Sequence, residues 1–144
     1  MSDRIVFDTS SLIGAALHPE SIPDKALQQA LEFWEICVSS ESLAELRTVL
    51  DREKFDRYAD PKQRQSFVES FRRDSRLFIV PEPDPVTLTP RCRDPRDNKF
   101  LALALAAEAA VIVSSDEDLL ALDPWNDIRI LTPAQFLETR RNPG

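Results

Sequence analysis

The chain has 144 residues, with 18 Lys and Arg against 25 Asp and Glu, a formal charge of −7. Its 42% apolar and 30% charged fractions fit a folded protein rather than a disordered one, and the length suits one domain over residues 1–144 with a substantial core. Two glycines cannot build a Walker loop or a dinucleotide fingerprint, and the single His18 excludes paired-histidine zinc sites. The two cysteines, Cys37 and Cys92, exclude a zinc ribbon or a disulfide framework. Chemistry is therefore left to carboxylates, hydroxyls and basic side chains.

No apolar stretch reaches the ~18 residues that span a membrane. The opening Met-Ser-Asp-Arg lacks a signal-peptide pattern, and few cysteines suit a reducing compartment, so the expectation is a cytoplasmic protein without a membrane partner. Charge is uneven: residues 47–76 hold nine Lys or Arg against six acids, leaving the rest of the chain strongly acidic. Such a run is a candidate nucleic-acid surface or simply a solvated face.

In chain order, residues 4–8 read as a short buried strand, and the hydroxyls at 9–11 open a helix. Residues 23–34 place Ala26, Leu27, Ala30, Leu31 and Trp34 at helical spacing. A second strand spans 35–38. Ser39 and Ser40 then start a helix with Leu43, Leu46, Val49 and Leu50 on one face, and residues 61–75 form a polar amphipathic helix with Phe67, Val68 and Phe71 inward. A third strand is expected at 77–80, then a proline-rich connection over 81–95 and an Ala/Leu-rich helix over 95–110. The strand 111–113, a short helix at 117–122, the strand 128–131 and a terminal helix through 139 complete the chain. Short apolar strands separated by helices indicate an α/β protein with a mainly parallel sheet of four to five strands. The expected architecture is a three-layer α/β/α domain, with residues 20–75 as a helical elaboration.

Each acid in this frame has a bland reading. Asp8 follows the first strand, where it can cap the next helix. Glu45 sits at the edge of an apolar arc and can reach outward to solvent; Glu41 lies near the helix start, where an anion is favoured. Asp94-Pro95-Arg96-Asp97 fits a cap, a first-turn proline and a capping-box acid, and Ser115 with Asp118 admits the same reading. Their joint placement adds something. Asp8 and Asp116 both end strands that right-handed crossovers can bring side by side, and Asp97 opens the helix between strands. Three acids at one sheet end, with Glu45 nearby, repel unless a cation holds them, and oxygen-only ligands suit Mg2+ or Mn2+. Metal-assisted hydrolysis of a phosphodiester fits that donor set.

The ordered set Val6-Phe7-Asp8-Thr9-Ser10, Ser40 to Leu46, Asp94-Pro95-Arg96-Asp97-Asn98-Lys99-Phe100-Leu101 and Ser114-Ser115-Asp116-Glu117-Asp118 resembles the PIN-domain nucleases. The Asp94–Leu101 stretch and the tail Ile128 to Leu137 look most like the toxin components of toxin–antitoxin systems, the VapC-like ribonucleases. The resemblance implies a PIN-like fold and an endoribonuclease leaving a 5′-phosphate and a 3′-hydroxyl. It implies Asp8, Glu45, Asp97 and Asp116 as catalytic residues around Mg2+ or Mn2+, with Asp8, Asp97, Asp116 and the less constant Asp118 as metal ligands. Ser10 stands where Asn is commoner and keeps a hydroxyl to orient Asp8; Ser114 stands where Thr or Ser is usual. The family further implies an RNA substrate, a homodimer and a cognate antitoxin. Arg91, Arg93, Arg96 and Lys99 bracket Asp97 and, with Arg72 and Arg73, are candidate phosphate contacts. His18 reads as a surface residue, Cys92 as an ordinary thiol, and Trp34 and Trp125 as packing residues. The competing reading is a catalytically inactive PIN-like module kept for protein or RNA contacts.

Overall fold

The computed structural model describes residues 2–81 and 94–139. The elements run β1 (Arg4–Phe7), α1 (Thr9–Leu17), α2 (Ile22–Phe33), β2 (Glu35–Val38), α3 (Ser40–Leu50), α4 (Pro61–Arg73) and β3 (Arg76–Leu77). They continue with α5 (Asn98–Ala107), β4 (Val111–Val113), α6 (Glu117–Leu120), β5 (Arg129–Leu131) and α7 (Pro133–Glu138). Single 3-10 turns lie at Glu53–Phe55 and Pro95–Asp97.

The five strands form one parallel sheet in the order β3-β2-β1-β4-β5. Successive side chains of a strand point to opposite faces, and both faces here are apolar. Ile5, Phe7, Ile36, Val38, Val111, Val113 and Leu131 join a core built with α1, α2, α3, α4 and α7. Val6, Cys37, Ile112 and Ile130 join a second core with α5, Leu119 of α6 and Trp125. This is the expected three-layer α/β/α arrangement. Each fully buried Leu or Ile contributes about 1.5–3 kcal/mol as an upper estimate, so the two cores dominate the fold's stability.

Two expected elements differ. The third strand is only Arg76–Leu77, because it lies at the sheet edge. The Phe78 N–H still reaches the Val38 carbonyl at 2.8 Å, but Leu77 and Ile79 face solvent and no further ladder bonds follow in the described chain. The helix expected over 95–110 begins as a 3-10 turn and ends at Ala107, where Glu108 takes a left-handed conformation (φ 54°). That cap turns the chain so that the Ala110 N–H meets the Arg4 carbonyl at 2.9 Å and β4 can start.

Topology fixes where a site can form. From β1 the chain moves to β2 on one side, while β4 joins β1 on the other. The crossovers therefore leave a crevice at the carboxyl ends of β1 and β4, where open α/β sheets bind ligands.

Candidate metal centre

Asp8 is the first residue past β1 and lies in that crevice. Its N–H donates to the Val113 carbonyl at 3.0 Å, which extends the β1–β4 pairing by one bond. Its side chain caps α1, accepting the Ser11 N–H at 3.0 Å, as the bland reading holds. It does more than cap. Ser10 Oγ donates at 2.9 Å to each carboxylate oxygen, and Ser114 Oγ donates to Oδ2 at 2.5 Å. Only 2% of Asp8 is exposed, and this burial raises its carboxyl above the ordinary range, while the hydroxyl and amide donors pull it back.

Ser114 links the next acid. Its hydroxyl accepts the Asp116 N–H at 2.9 Å, so one buried side chain ties Asp8 to the turn after β4. Asp116, rather than the expected Ser115, caps α6, accepting the Asp118 N–H at 2.8 Å. Asp118 thus enters the site through its backbone. Ser115 is exposed and its N–H points to Ser10 Oγ at 3.4 Å.

Asp97 also departs from its expected capping role. Asp94 opens the 3-10 turn, accepting the Arg96 N–H at 3.0 Å and binding the Arg96 guanidinium at 3.2 and 2.9 Å. That pairing holds the Asp94 carboxyl below its usual range. Asp97 stands at the start of α5 without a side-chain capping bond. Its carboxyl lies within hydrogen-bonding reach of Asp116 instead. Burial first, then the Asp116 carboxylate, push Asp97 up to about 7, with Asp94 and Asp8 adding in the same direction. Two carboxylates this close repel, so one retains a proton near neutral pH.

Glu45 is turned toward this group rather than out to solvent. Its Oε2 accepts from Thr9 Oγ1 at 2.6 Å and its Oε1 lies 3.2 Å from Lys99 Nζ. Thr9 was not singled out in the sequence, although its place beside Asp8 was the available signal. Lys99 is engaged as well, donating to the Arg96 carbonyl at 2.6 Å.

The other basic candidates spread out. Arg96 is exposed on the turn that carries Asp97. Arg72 and Arg73 end α4 at the β3 edge, two strands or ~10 Å across the sheet from β1, and Arg73 contacts Ser70 and Asp74. Arg91, Arg93 and Cys92 lie outside the described residues. His18 is exposed and edge-on to Tyr58, Trp34 packs edge-on to Phe136, and Trp125 is buried, as expected. Cys37 is inert by burial, its thiol pushed up to about 11.

A cleft of about 500 Å³ lies between the starts of α3 and α5, lined by Ser39, Ser40, Glu41, Phe78, Arg96 and Lys99 among others and by none of the clustered acids. A second cleft of about 580 Å³ lies between α3 and α4, lined by Arg47, Arg64 and Glu69 and by none of the clustered acids. Among the described residues no three His, Cys, Asp or Glu side chains already form a ready metal cage. Two acids converge, and the third, Asp8, faces them electrostatically while hydroxyls hold its oxygens. The donors are all hard oxygens, which fits Mg2+ or Mn2+ by type.

A parallel sheet with acids gathered at its switch point defines a class of protein, and comparison with known proteins names it. The PIN domain family model matches residues 4–118, so the chain belongs to the PIN domain family. It is 28% identical to the uncharacterized protein MJ1680 of Methanocaldococcus jannaschii, over 94% of this chain and 90% of that protein. Its fold is similar to PAE2754 of Pyrobaculum aerophilum, with a TM-score of 0.63 and 16% identity over 94% of this chain and 88% of the other. It is also similar to VapBC2 of Rickettsia felis, solved bound to a DNA fragment from their promoter. There the TM-score is 0.59 and the identity 17%, over 88% and 96% of the two chains. FitAcB of Neisseria gonorrhoeae gives a TM-score of 0.57 and 19% identity over 90% and 98%. No helix among the described residues is long and apolar enough to cross a membrane.

Proposed function

We propose that this PIN-domain protein is a Mg2+- or Mn2+-dependent endoribonuclease that acts as the toxin of a toxin–antitoxin pair in the cytoplasm. The observation that carries the reading is the Asp97–Asp116 pair, two carboxyls close enough to share a proton, with the buried Asp8 beside them. Like charges gathered at a sheet's ligand-binding end are what a divalent cation relieves. The toxin reading draws on the fold shared with VapBC2 and FitAcB and on the likeness of residues 94–101 to toxin sequences.

In this reading Asp8, Asp97 and Asp116 hold the cation, with Asp118 at its margin. When bound, the cation supplies Lewis-acid stabilisation of charge on the phosphate and makes a nucleophile of water at neutral pH. Ser114 fixes Asp8 against the β4 turn. Ser10, an exposed hydroxyl bridging both Asp8 oxygens, is the donor that a cation replaces most readily. Glu45 accepts a proton from the attacking water at the edge of the group. Arg96, held by Asp94, contacts the RNA backbone, and Arg91 and Arg93, which precede Asp97 in the chain, are further candidate phosphate contacts.

The test is cleavage of RNA by the purified protein with Mn2+, with and without EDTA. Cutting that requires Mn2+ and stops on chelation supports the reading; cutting that ignores chelation overturns it. A protein that shows neither Mn2+ binding by calorimetry nor cleavage is the inactive binding module. Co-expression with the neighbouring gene tests for an antitoxin by relief of growth arrest, and molar mass in solution tests for the homodimer.

A further inference from the structure

Glu45 is clamped at both oxygens. Thr9 Oγ1 donates to one at 2.6 Å and Lys99 Nζ lies 3.2 Å from the other. Both partners sit next to proposed cation-holding acids in the chain: Thr9 follows Asp8, and Lys99 stands two residues after Asp97. The clamp therefore joins the starts of α1 and α5 to the middle of α3. Lys99 is itself held, by the Arg96 carbonyl at 2.6 Å and by the Phe100 ring, whose centroid lies 5.5 Å from Nζ. Its side chain is 19% exposed against 82% for Arg96, which marks Arg96 as the cation open to a polyanion and Lys99 as an inward one.

We propose that Lys99 is a positioning residue whose partner is Glu45 rather than an RNA phosphate. Glu45 is a half-buried anion whose two partners lie one and two residues along the chain from Asp8 and Asp97. With nothing to balance it, repulsion and desolvation both favour rotation out to solvent. Lys99 balances its charge and Thr9 fixes its second oxygen, so the carboxylate is held in one orientation at the margin of the site. Fixed geometry of this kind raises the rate of a bound substrate without changing how tightly the substrate binds.

The inference rests on the nuclease reading, and two measurements keep their failures apart. The first is a thermal-melting cycle without metal on the unmodified protein, Lys99→Met, Glu45→Gln and the double variant. Coupling of the pair leaves the double variant about 2 °C above the sum of the two single losses. The second is Mn2+-dependent RNA cleavage kinetics on the same set plus Lys99→Arg. The expected result is a kcat at least ~10-fold lower in Lys99→Met with KM within ~2-fold, substantial recovery in Lys99→Arg, and no further loss when Lys99→Met is added to Glu45→Gln. Additive melting losses, or a KM effect with kcat unchanged, overturn the inference and return Lys99 to the phosphate contacts. An unmodified protein that does not cleave overturns the nuclease reading and with it the catalytic part, while the melting cycle still reports whether the pair is coupled.

Discussion

Asp8 caps α1 and at the same time supplies a buried charge to the crevice, and the two roles separate on substitution. Asn keeps an oxygen for the Ser11 N–H, and the Ser10 and Ser114 hydroxyls can rotate to accept from its amide. Asp8→Asn should therefore melt at or above the temperature of the unmodified protein without metal, because a buried charge is gone. Mn2+-dependent cleavage should fall by at least ~100-fold in a gel assay. Cleavage at an undiminished rate contradicts Asp8 as a ligand. Asp97 gives a pH signature. Its carboxyl is raised from 3.8 to about 7 on folding, so the folded state holds that proton more tightly between those values. Stability from this group falls as pH rises through the interval, and the raised Asp8 has the same sign. Asp94 and Asp123, held low by Arg96 and Arg129, act oppositely but at the acidic end. The metal-free protein should thus lose melting temperature from about pH 5 to about pH 8 relative to Asp97→Asn. Parallel curves for the two proteins contradict the raised carboxyl.

At the scale of elements, α3 shows how local chemistry delivers a site residue. Ser39 accepts the Ser42 N–H at 3.1 Å while its own N–H donates to Ser42 Oγ at 2.9 Å, a reciprocal cap that starts the helix carrying Glu45. Ser39→Ala should lower stability by about 1 kcal/mol, seen as a lower urea midpoint with an unchanged slope. An unchanged midpoint denies the cap its role. The hydroxyl-before-apolar pattern made this helix start readable. The same rule misassigned the start of α6, since Ser115 and Asp116 are both competent caps. Asp116 takes the extended backbone of a capping residue, three residues after β4 ends at Val113. The expected Asp94–Asp97 box fails for a related reason: Arg96 occupies Asp94, and the 3-10 turn leaves Asp97 to meet Asp116.

For the whole molecule, the clustered acids couple metal binding to folding. Mn2+ at about a hundred times its dissociation constant should raise Tm by ~5–10 °C, and Asp116→Asn should shrink that rise. An equal rise in Asp116→Asn leaves Asp116 as a helix cap alone. The basic stretch separates from this effect by position. Arg72 and Arg73 lie at the β3 edge, so an RNA touching both them and the carboxylates must cross part of the sheet. Arg72→Glu with Arg73→Glu should leave the Mn2+ response intact and weaken binding of a long RNA with a flatter salt slope, while cleavage of a short oligonucleotide stays unchanged. Unaltered affinity for the long RNA, with a changed molar mass, assigns the α4 end to protein contact.

Composition and periodicity by themselves determined the layers. Five short apolar segments between helical ones permit little besides a parallel sheet covered on both faces, because each strand must bury two sets of side chains. The glycine and histidine counts restricted the chemistry to oxygen ligands. The order of the acids along the chain marked Asp8, Glu45, Asp97 and Asp116 as candidates. Tertiary structure alone decided how they meet. Strand order brought Asp8 beside Ser114, a 3-10 turn aimed Asp97 at Asp116, and packing of α1 and α5 on α3 gave Glu45 its two partners. Sequence patterns report which faces are apolar and which residues can cap. They carry no distance between acids 19 to 108 residues apart, and repulsion, pairing and burial all depend on that distance.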